Sequence, residues 1–288
     1  MNFDRSLDVA AGRELRLSPL VSRVLAPNPG PFTFRGTGVY IVGAGAQVAV
    51  IDPGPDLPGH LAALKTAIGS RVVRHILVTH THRDHSPAAA ALKAWSGAAT
   101  YGLPLGTSAI AGEGLVDEAH DHDFVPDVRI EDGMRIAGDG FTLQAIATPG
   151  HTANHICYGL AEERALFSGD HVMGWSTSVI APPDGDMGQY LASLEKLKAR
   201  DDRIFYPTHG SPIEGPHDWL SQLIAHRRLR EAQIVEGVAA GDDSIARLVA
   251  RLYPEIAPAL RGAASQQVRA HLDHLIEQGA LARGAVRS

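Results

Sequence analysis

The chain has 288 residues, of which 44% are hydrophobic and 20% are charged, and its formal net charge is −6. A chain of this length can bury a full core and predicts one large and one small domain. Its single cysteine excludes an internal disulfide, and no segment approaches the roughly 18 consecutive apolar residues of a membrane-spanning helix. The first residues also lack the pattern of a signal peptide. We therefore expect a cytoplasmic protein without membrane association.

The first 215 residues alternate between strand and helix patterns, which predicts an α/β fold. Apolar runs bounded by turn residues mark the strands, and Pro87 suits the start of a helix. Strands are predicted at 39–42, 47–51, 72–78, 127–130, 141–147, 155–159, 165–167 and 204–206, and helices at 57–68, from 87 onward and at 190–197.

After residue 215 the pattern becomes almost wholly helical. We therefore predict a large α/β domain at 1–215 and a small C-terminal domain at 216–288. Apolar residues recur at helical spacing within 219–238, 245–252 and 268–276, and 281–286 resembles a short strand. Three helices and a strand indicate a winged-helix-like module. Such modules bind nucleic acid in some proteins and form lids or oligomer contacts in others. The sequence is therefore compatible with a homo-oligomer.

A cluster of metal-binding side chains follows the predicted strand at 72–78. Residues 79–86 read Thr-His-Thr-His-Arg-Asp-His-Ser, which places His80, His82, Asp84 and His85 within six positions. Because His80 and His82 alternate, a strand end or loop can direct both at one ion, whereas a helix face cannot. Asp84 and His85 can then serve a second ion.

Three more donors lie in Gly-flanked turns: His151, Asp170 and His209. The complete set of five histidines and two aspartates can hold two zinc-like ions, with Asp170 as the bridge and room for a shared hydroxide. Two ions about 3.5–4 Å apart can polarise a carbonyl or phosphoryl group and present a nucleophile near neutral pH. The sequence therefore predicts a dinuclear metal-dependent hydrolase with Asp84 and Asp170 as its catalytic carboxylates. Zinc is the expected metal, with Fe or Mn as alternatives.

Single residues of these types are more often surface or capping residues than ligands, so the prediction depends on the whole set. His155 and His171 adjoin the donors in sequence, and we interpret them as structural or as proton carriers. Trp175 is either a pocket wall or a core residue. The remaining histidines without metal-site context are taken as surface or structural residues: His60, His75, His120, His122, His217, His271 and His274.

The His-x-His-x-Asp-His pattern, followed by a His, an Asp and a last His, resembles the metallo-β-lactamase superfamily over about residues 17–215. The resemblance implies a four-layer αββα sandwich with the metals at one edge. It also implies His80, His82 and His151 on the first ion, Asp84, His85 and His209 on the second, and Asp170 between them. Asp52 resembles the early aspartate that supports a metal-binding histidine in this family.

Several activities of the superfamily fit this chain poorly. True β-lactamases generally place Cys or His at the position of Asp170. Flavodiiron oxygen reductases have a similar motif, but with a carboxylate at the position of His82. Nucleases with an inserted helical cap need far more than the 38 residues between Asp170 and His209. Penicillin hydrolysis, di-iron redox chemistry and capped nuclease activity are therefore not expected.

The run at 226–234 and the winged-helix-like end are similar to the β-lactamase-like protein 2 subfamily, which includes an endoribonuclease acting on single-stranded RNA. Residues 217–288 carry a formal charge of only +1, and we interpret Arg227, Arg228 and Arg230 as the solvated face of a linker helix. Three alternatives stay open: cleavage of single-stranded RNA, thioesterase or lactonase action on a small acyl ester or thioester, and a non-catalytic module that binds nucleic acid or a partner.

Overall fold

The computed structural model describes residues 1–7, 9–106 and 120–287. In this part of the chain, two sheets form the centre of the molecule. The strands of the first sheet, in spatial order, are β1 (Glu14–Arg16), β2 (Val21–Leu25), β3 (Gly38–Val42), β4 (Gln47–Ile51), β5 (Val72–Leu77), β6 (Ala99–Gly102) and β7 (Val128–Arg129). Those of the second are β13 (Ile213–Glu214), β12 (Ile204–Pro207), β11 (Ala165–Gly169), β10 (Ile156–Leu160), β9 (Phe141–Ala147) and β8 (Arg135–Gly138).

Each sheet combines antiparallel and parallel pairing. Strands β1 to β4 pair antiparallel, and β4 to β7 pair parallel. In the second sheet only β11 and β12 pair parallel. Parallel neighbours need a crossover that covers a face of the sheet. The helices are α1 (His60–Ile68), α2 (Ala88–Ser96), α3 (Met187–Lys198), α4 (Pro216–Ala239), α5 (Ile245–Leu252) and α6 (Arg261–Glu277).

The buried side chains separate into layers because successive residues of a strand face opposite sides of its sheet. Tyr40 on β3 points between the two sheets, where its ring lies 5.1 Å from that of Phe167 and 5.7 Å from that of Tyr206. Its neighbour Ile41 points outward into the cluster that includes Leu64 of α1. A third cluster lies between the second sheet and α3. The predicted four-layer αββα sandwich is confirmed.

Helix α4 contributes to two hydrophobic clusters. Its first half adds Leu220, Leu223 and Ile224 to the cluster beneath the second sheet, and Ile234 joins the cluster formed with α5 and α6. The domain boundary between residues 215 and 216 stays a prediction, because α4 packs against residues of both predicted domains. No helix of the described residues is long and apolar enough to cross a membrane.

Two details of the C-terminal prediction were wrong. Residues 281–286 form no strand; the nearby pairing is an isolated bridge between Ser244 and Arg287, and Leu281 packs against the α5–α6 cluster instead. Arg227 does not belong to a solvated face, because it is 1% exposed. Arg228 is exposed and Arg230 half-buried, so the three arginines do not form one basic surface.

Candidate metal centre

All seven predicted donors lie at one edge of the sandwich, where strands end. His80, His82, Asp84 and His85 follow β5, and the other three follow β9, β11 and β12. Backbone geometry requires glycine in two of these turns. Gly150 has a φ of +142°, and a Cβ there would lie 2.3 Å from the Cα of Tyr190. Gly169 has a φ of +53°, and a Cβ there would lie 2.5 Å from Nε2 of His155.

The donors form three overlapping groups, and within each group the ligand atoms lie within 4.8 Å of one another. We name the first the three-histidine group and the second the mixed group. The third contains Asp170 with one histidine from each of the other two. The members are His80, His82 and His151 in the three-histidine group, Asp84, His85 and His209 in the mixed group, and His80, His85 and Asp170 in the third.

The three-histidine group brings together three buried imidazole rings. Nδ1 of His82 lies 2.8 Å from Nε2 of His80 and 3.3 Å from Nε2 of His151. Burial, together with neighbouring histidines, lowers the pKa of His80 and His82 well below the usual value. Burial also lowers the pKa of His151. The neutral imidazole is the form that binds metal.

The mixed group combines imidazoles with carboxylates. Nε2 of His209 lies 3.0 Å from Oδ2 of Asp84 and 3.4 Å from Oδ2 of Asp170. Nε2 of His85 lies 3.4 Å from Oδ2 of Asp84 and 3.6 Å from Oδ1 of Asp170. Burial opposes protonation of His209, but Asp170 and Asp84 outweigh it and raise its pKa to about 10. A metal bound by these two rings therefore displaces protons from them.

Asp52 organises the mixed group from behind. This residue is buried and has a φ of +48°. Its oxygens accept hydrogen bonds from the Thr79 amide at 2.8 Å, the Thr79 hydroxyl at 2.8 Å, Nδ1 of His85 at 2.9 Å and the Thr208 hydroxyl at 3.0 Å. A proton held on Nδ1 leaves Nε2 of His85 free to face the carboxylates of Asp84 and Asp170.

The buried atoms at the centre fit divalent metal ions. Nε2 of His85 and Oδ1 of Asp170 are buried and have no hydrogen-bond partner among the described residues. Buried polar atoms normally have a partner. Nitrogen and carboxylate donors in this number are the ligands that Zn, Fe and Mn accept. The donor set therefore fits divalent metal ions.

Three neighbouring aromatic residues have structural contacts. His155 receives a hydrogen bond from the amide of Asp170 at 3.3 Å, and its Nδ1 lies 2.9 Å from the Thr148 hydroxyl. The ring of His171 lies 4.6 Å from that of Tyr190. Trp175 stacks on Phe34 with ring centroids 4.9 Å apart. His155 therefore fixes the backbone of Asp170, while Trp175 packs beside the His209 turn.

Sequence reasoning missed the place of His120. Its ring lies 4.9 Å from that of His82, and its backbone forms an isolated bridge with His82. Nε2 of His120 lies 3.8 Å from Oδ2 of Asp184, whose pKa is raised to about 6 by burial. No motif marks His120 in the sequence, since it reaches the centre only through the fold.

A pocket of about 380 Å³ opens onto the mixed group. Residues 28–33 form one wall, in which Pro29, Pro31 and Phe32 are apolar. Arg83 lies at another side of the pocket, exposed, with its Nε donating to the His120 carbonyl at 3.2 Å. The pocket thus offers an apolar wall and one cation beside the metal donors.

Comparison with known proteins agrees with this arrangement. Residues 33–209 match the metallo-beta-lactamase superfamily, and residues 244–285 match the beta-lactamase associated winged helix domain. The chain belongs to the metallo-β-lactamase superfamily. The matches confirm the predicted winged-helix-like end, although residues 281–286 do not form the predicted strand.

Two curated relatives and one solved structure extend across both parts of the chain. The beta-lactamase-like protein 2 homolog of Caenorhabditis elegans is 32% identical and the match covers 92% of this chain and 86% of that protein. The atrochrysone carboxyl ACP thioesterase AgnL7 of Paecilomyces divaricatus is also 32% identical, over 88% and 76%. A beta-lactamase domain protein from Burkholderia ambifaria shares the fold with a TM-score of 0.80 at 21% identity, over 98% and 95%. Superfamily membership and the thioesterase relative support hydrolase activity in general.

Proposed function

We propose that this protein is a dinuclear metal-dependent hydrolase. The carrying observation is that Asp170 lies against both donor groups: it groups with His80 of one and His85 of the other. The residues that would hold the metals are His80, His82 and His151 for one ion, Asp84, His85 and His209 for the other, and Asp170 for both. We propose zinc as the resident metal, with Fe or Mn as alternatives.

Two divalent ions held there would polarise the scissile group and supply a water-derived nucleophile near neutral pH. The chain's own residues do the positioning. Asp52 holds the ring of His85, and the carbonyl of Gly36 lies 3.1 Å from Nδ1 of His209, so both rings keep a fixed direction. Residues 28–33 form an apolar wall beside Asp84 and Asp170, against which the substrate would lie.

We infer that the substrate is an activated acyl compound, with a thioester as the first class and a lactone as the second. The pocket volume of about 380 Å³ suits a small acyl group, and Pro29, Pro31 and Phe32 give it an apolar wall. Arg83 supplies a cation for an anionic part of the substrate. One curated relative is named as an acyl carrier protein thioesterase, which favours the thioester.

Two alternatives have less support in this chain. Single-stranded RNA calls for a basic surface, but Arg227 is buried and Arg228 lies 3.4 Å from Glu195. A non-catalytic module that binds nucleic acid or a partner has no need of metal donors beside a pocket. The three-histidine and mixed groups both have all of their predicted donors, which favours an enzyme.

The substrate class is testable with a panel on zinc-loaded protein. We expect turnover of acyl-pantetheine thioesters, weaker turnover of lactones and no cleavage of end-labelled single-stranded RNA. The same assays with Asp170→Asn serve as the blank, because a contaminating enzyme would be unaffected. RNA cleavage that disappears in the variant, without thioester turnover, would overturn the acyl assignment. Two bound metals with no hydrolysis of any of the three classes would count against the hydrolase.

A further inference from the structure

Residues 178–180 lie directly behind the three-histidine group. Nδ1 of His151 lies 2.6 Å from the carbonyl oxygen of Val179. The Ser178 hydroxyl donates to the backbone carbonyl of Asp170 at 2.6 Å. This segment therefore sets the ring direction of one metal donor and the backbone of another.

The same segment is held from its other side by the C-terminal helices. Nη2 of Arg227 on α4 donates to the carbonyl of Ser178 at 2.6 Å. Oε1 of Gln267 on α6 accepts a hydrogen bond from the amide of Ile180 at 3.2 Å. Residues from the C-terminal helices thus reach the metal donors through one intervening peptide segment.

The burial of Arg227 needs an explanation. It is 1% exposed, its Nε has no hydrogen-bond partner among the described residues, and none of their ion pairs includes it. Its guanidinium lies 5.1 Å from the centre of the Tyr190 ring. Burying a charge without a carboxylate is costly, so the surrounding bonds must compensate. The hydrogen bond to Ser178 is a charge-assisted one and supplies part of that compensation.

We propose that Arg227 and Gln267 are positioning residues for the metal centre. Through residues 178–180, they let the C-terminal helices hold His151 of the three-histidine group in place. The inference rests on the proposed function, since it assumes that His151 binds metal. The Val179 carbonyl keeps the proton of His151 on Nδ1 and leaves Nε2 for the metal, and Arg227 keeps that peptide segment in place. In the mixed group, Asp52 and the Gly36 carbonyl fix the rings of His85 and His209, so the direction of these two rings does not depend on Arg227.

The test is Co²⁺ titration of metal-free Arg227→Met, followed by the visible absorption of the bound cobalt. Methionine keeps an unbranched apolar side chain at this buried position and removes the guanidinium donor. We expect one of the two Co²⁺ equivalents to bind about 10–100-fold more weakly, with an altered spectrum for that equivalent alone. With thioester substrate, kcat should fall while KM stays unchanged. Arg227→Lys keeps a cationic donor and should restore part of the affinity.

Arg228→Met is the matched control, because this neighbour on α4 is exposed and, among the described residues, forms an ion pair only with Glu195. It should bind both Co²⁺ equivalents like the parent protein. Gln267→Met gives a second variant should Arg227→Met fail to fold, with a smaller loss at the same equivalent. Lowered thermal stability with two native Co²⁺ affinities and spectra, in whichever variant folds, would overturn the positioning role. Parent protein that binds no Co²⁺ would instead refute the proposed function itself.

Discussion

Replacing Asp170 with Asn is expected to lower kcat by about a thousandfold, which corresponds to about 4 kcal/mol of transition-state stabilisation. The carboxylate of Asp170 faces His85 with one oxygen and His209 with the other. An asparagine has a single carbonyl oxygen. Its amide nitrogen, which cannot bind metal, would replace the oxygen that faces either His85 or His209. The bound metal should fall from two ions per chain towards one. Steady-state kinetics and elemental analysis of the same preparation measure both effects.

Asp202→Asn is the control for this variant. Asp202 is also a buried aspartate, but its carboxylate pairs with Arg200 at 2.6 Å, at the opposite end of the second sheet. We expect Asp202→Asn to lower thermal stability and to retain two metals and normal kcat. If Asp170→Asn retained two metals and full turnover, the shared position of Asp170 would be wrong.

The second large effect is expected for Asp52→Asn, which should lower metal affinity and kcat about 10–100-fold. Asparagine can still accept from the Thr79 amide, but its own amide group would face the Thr208 hydroxyl and Nδ1 of His85 as a donor. The proton of His85 then loses its acceptor, and the tautomer protonated on Nε2 cannot bind metal. Zn²⁺ titration of metal-free protein should show one weakened ion.

Thr208→Val separates this effect from a general loosening of the site. It removes one hydroxyl donor to Asp52 and leaves the contact between Asp52 and His85 intact. We expect a loss of about 1 kcal/mol of unfolding free energy with unchanged Zn²⁺ affinity. If Thr208→Val weakened the same ion as strongly as Asp52→Asn, orientation of His85 would not explain the loss.

The metal donors could be predicted because each lies in a segment that follows an apolar strand. Asp170, for example, comes directly after β11, so its place at the end of the strand can be predicted from the neighbouring residues alone. Strand β2 was not predicted, because the charged Arg23 interrupts its apolar run. The fold buries Arg23 by directing Nη1 to the carbonyl of Gly210 at 2.7 Å, which is a contact between distant parts of the chain.

Other features depend on long-range packing that the sequence does not display. His120 reaches His82 through a bridge between segments 38 positions apart. Arg227 lies among charged residues on α4, and only the packing of α4 against residues 178–180 shows that it is buried. Residues 281–286 were predicted as a short strand, yet Leu281 and Val286 pack against the α5–α6 cluster instead.

The most direct measurement is reconstitution of metal-free protein with Zn²⁺, followed by hydrolysis of an acyl-pantetheine thioester. Each addition should be accompanied by a measured metal-to-protein ratio. We expect no turnover without metal and a rise that ends at two ions per chain, the number that the three-histidine and mixed groups together can hold. Full turnover by the metal-free protein would contradict a metal-dependent hydrolase, and a rise that ends at one ion would contradict the dinuclear centre.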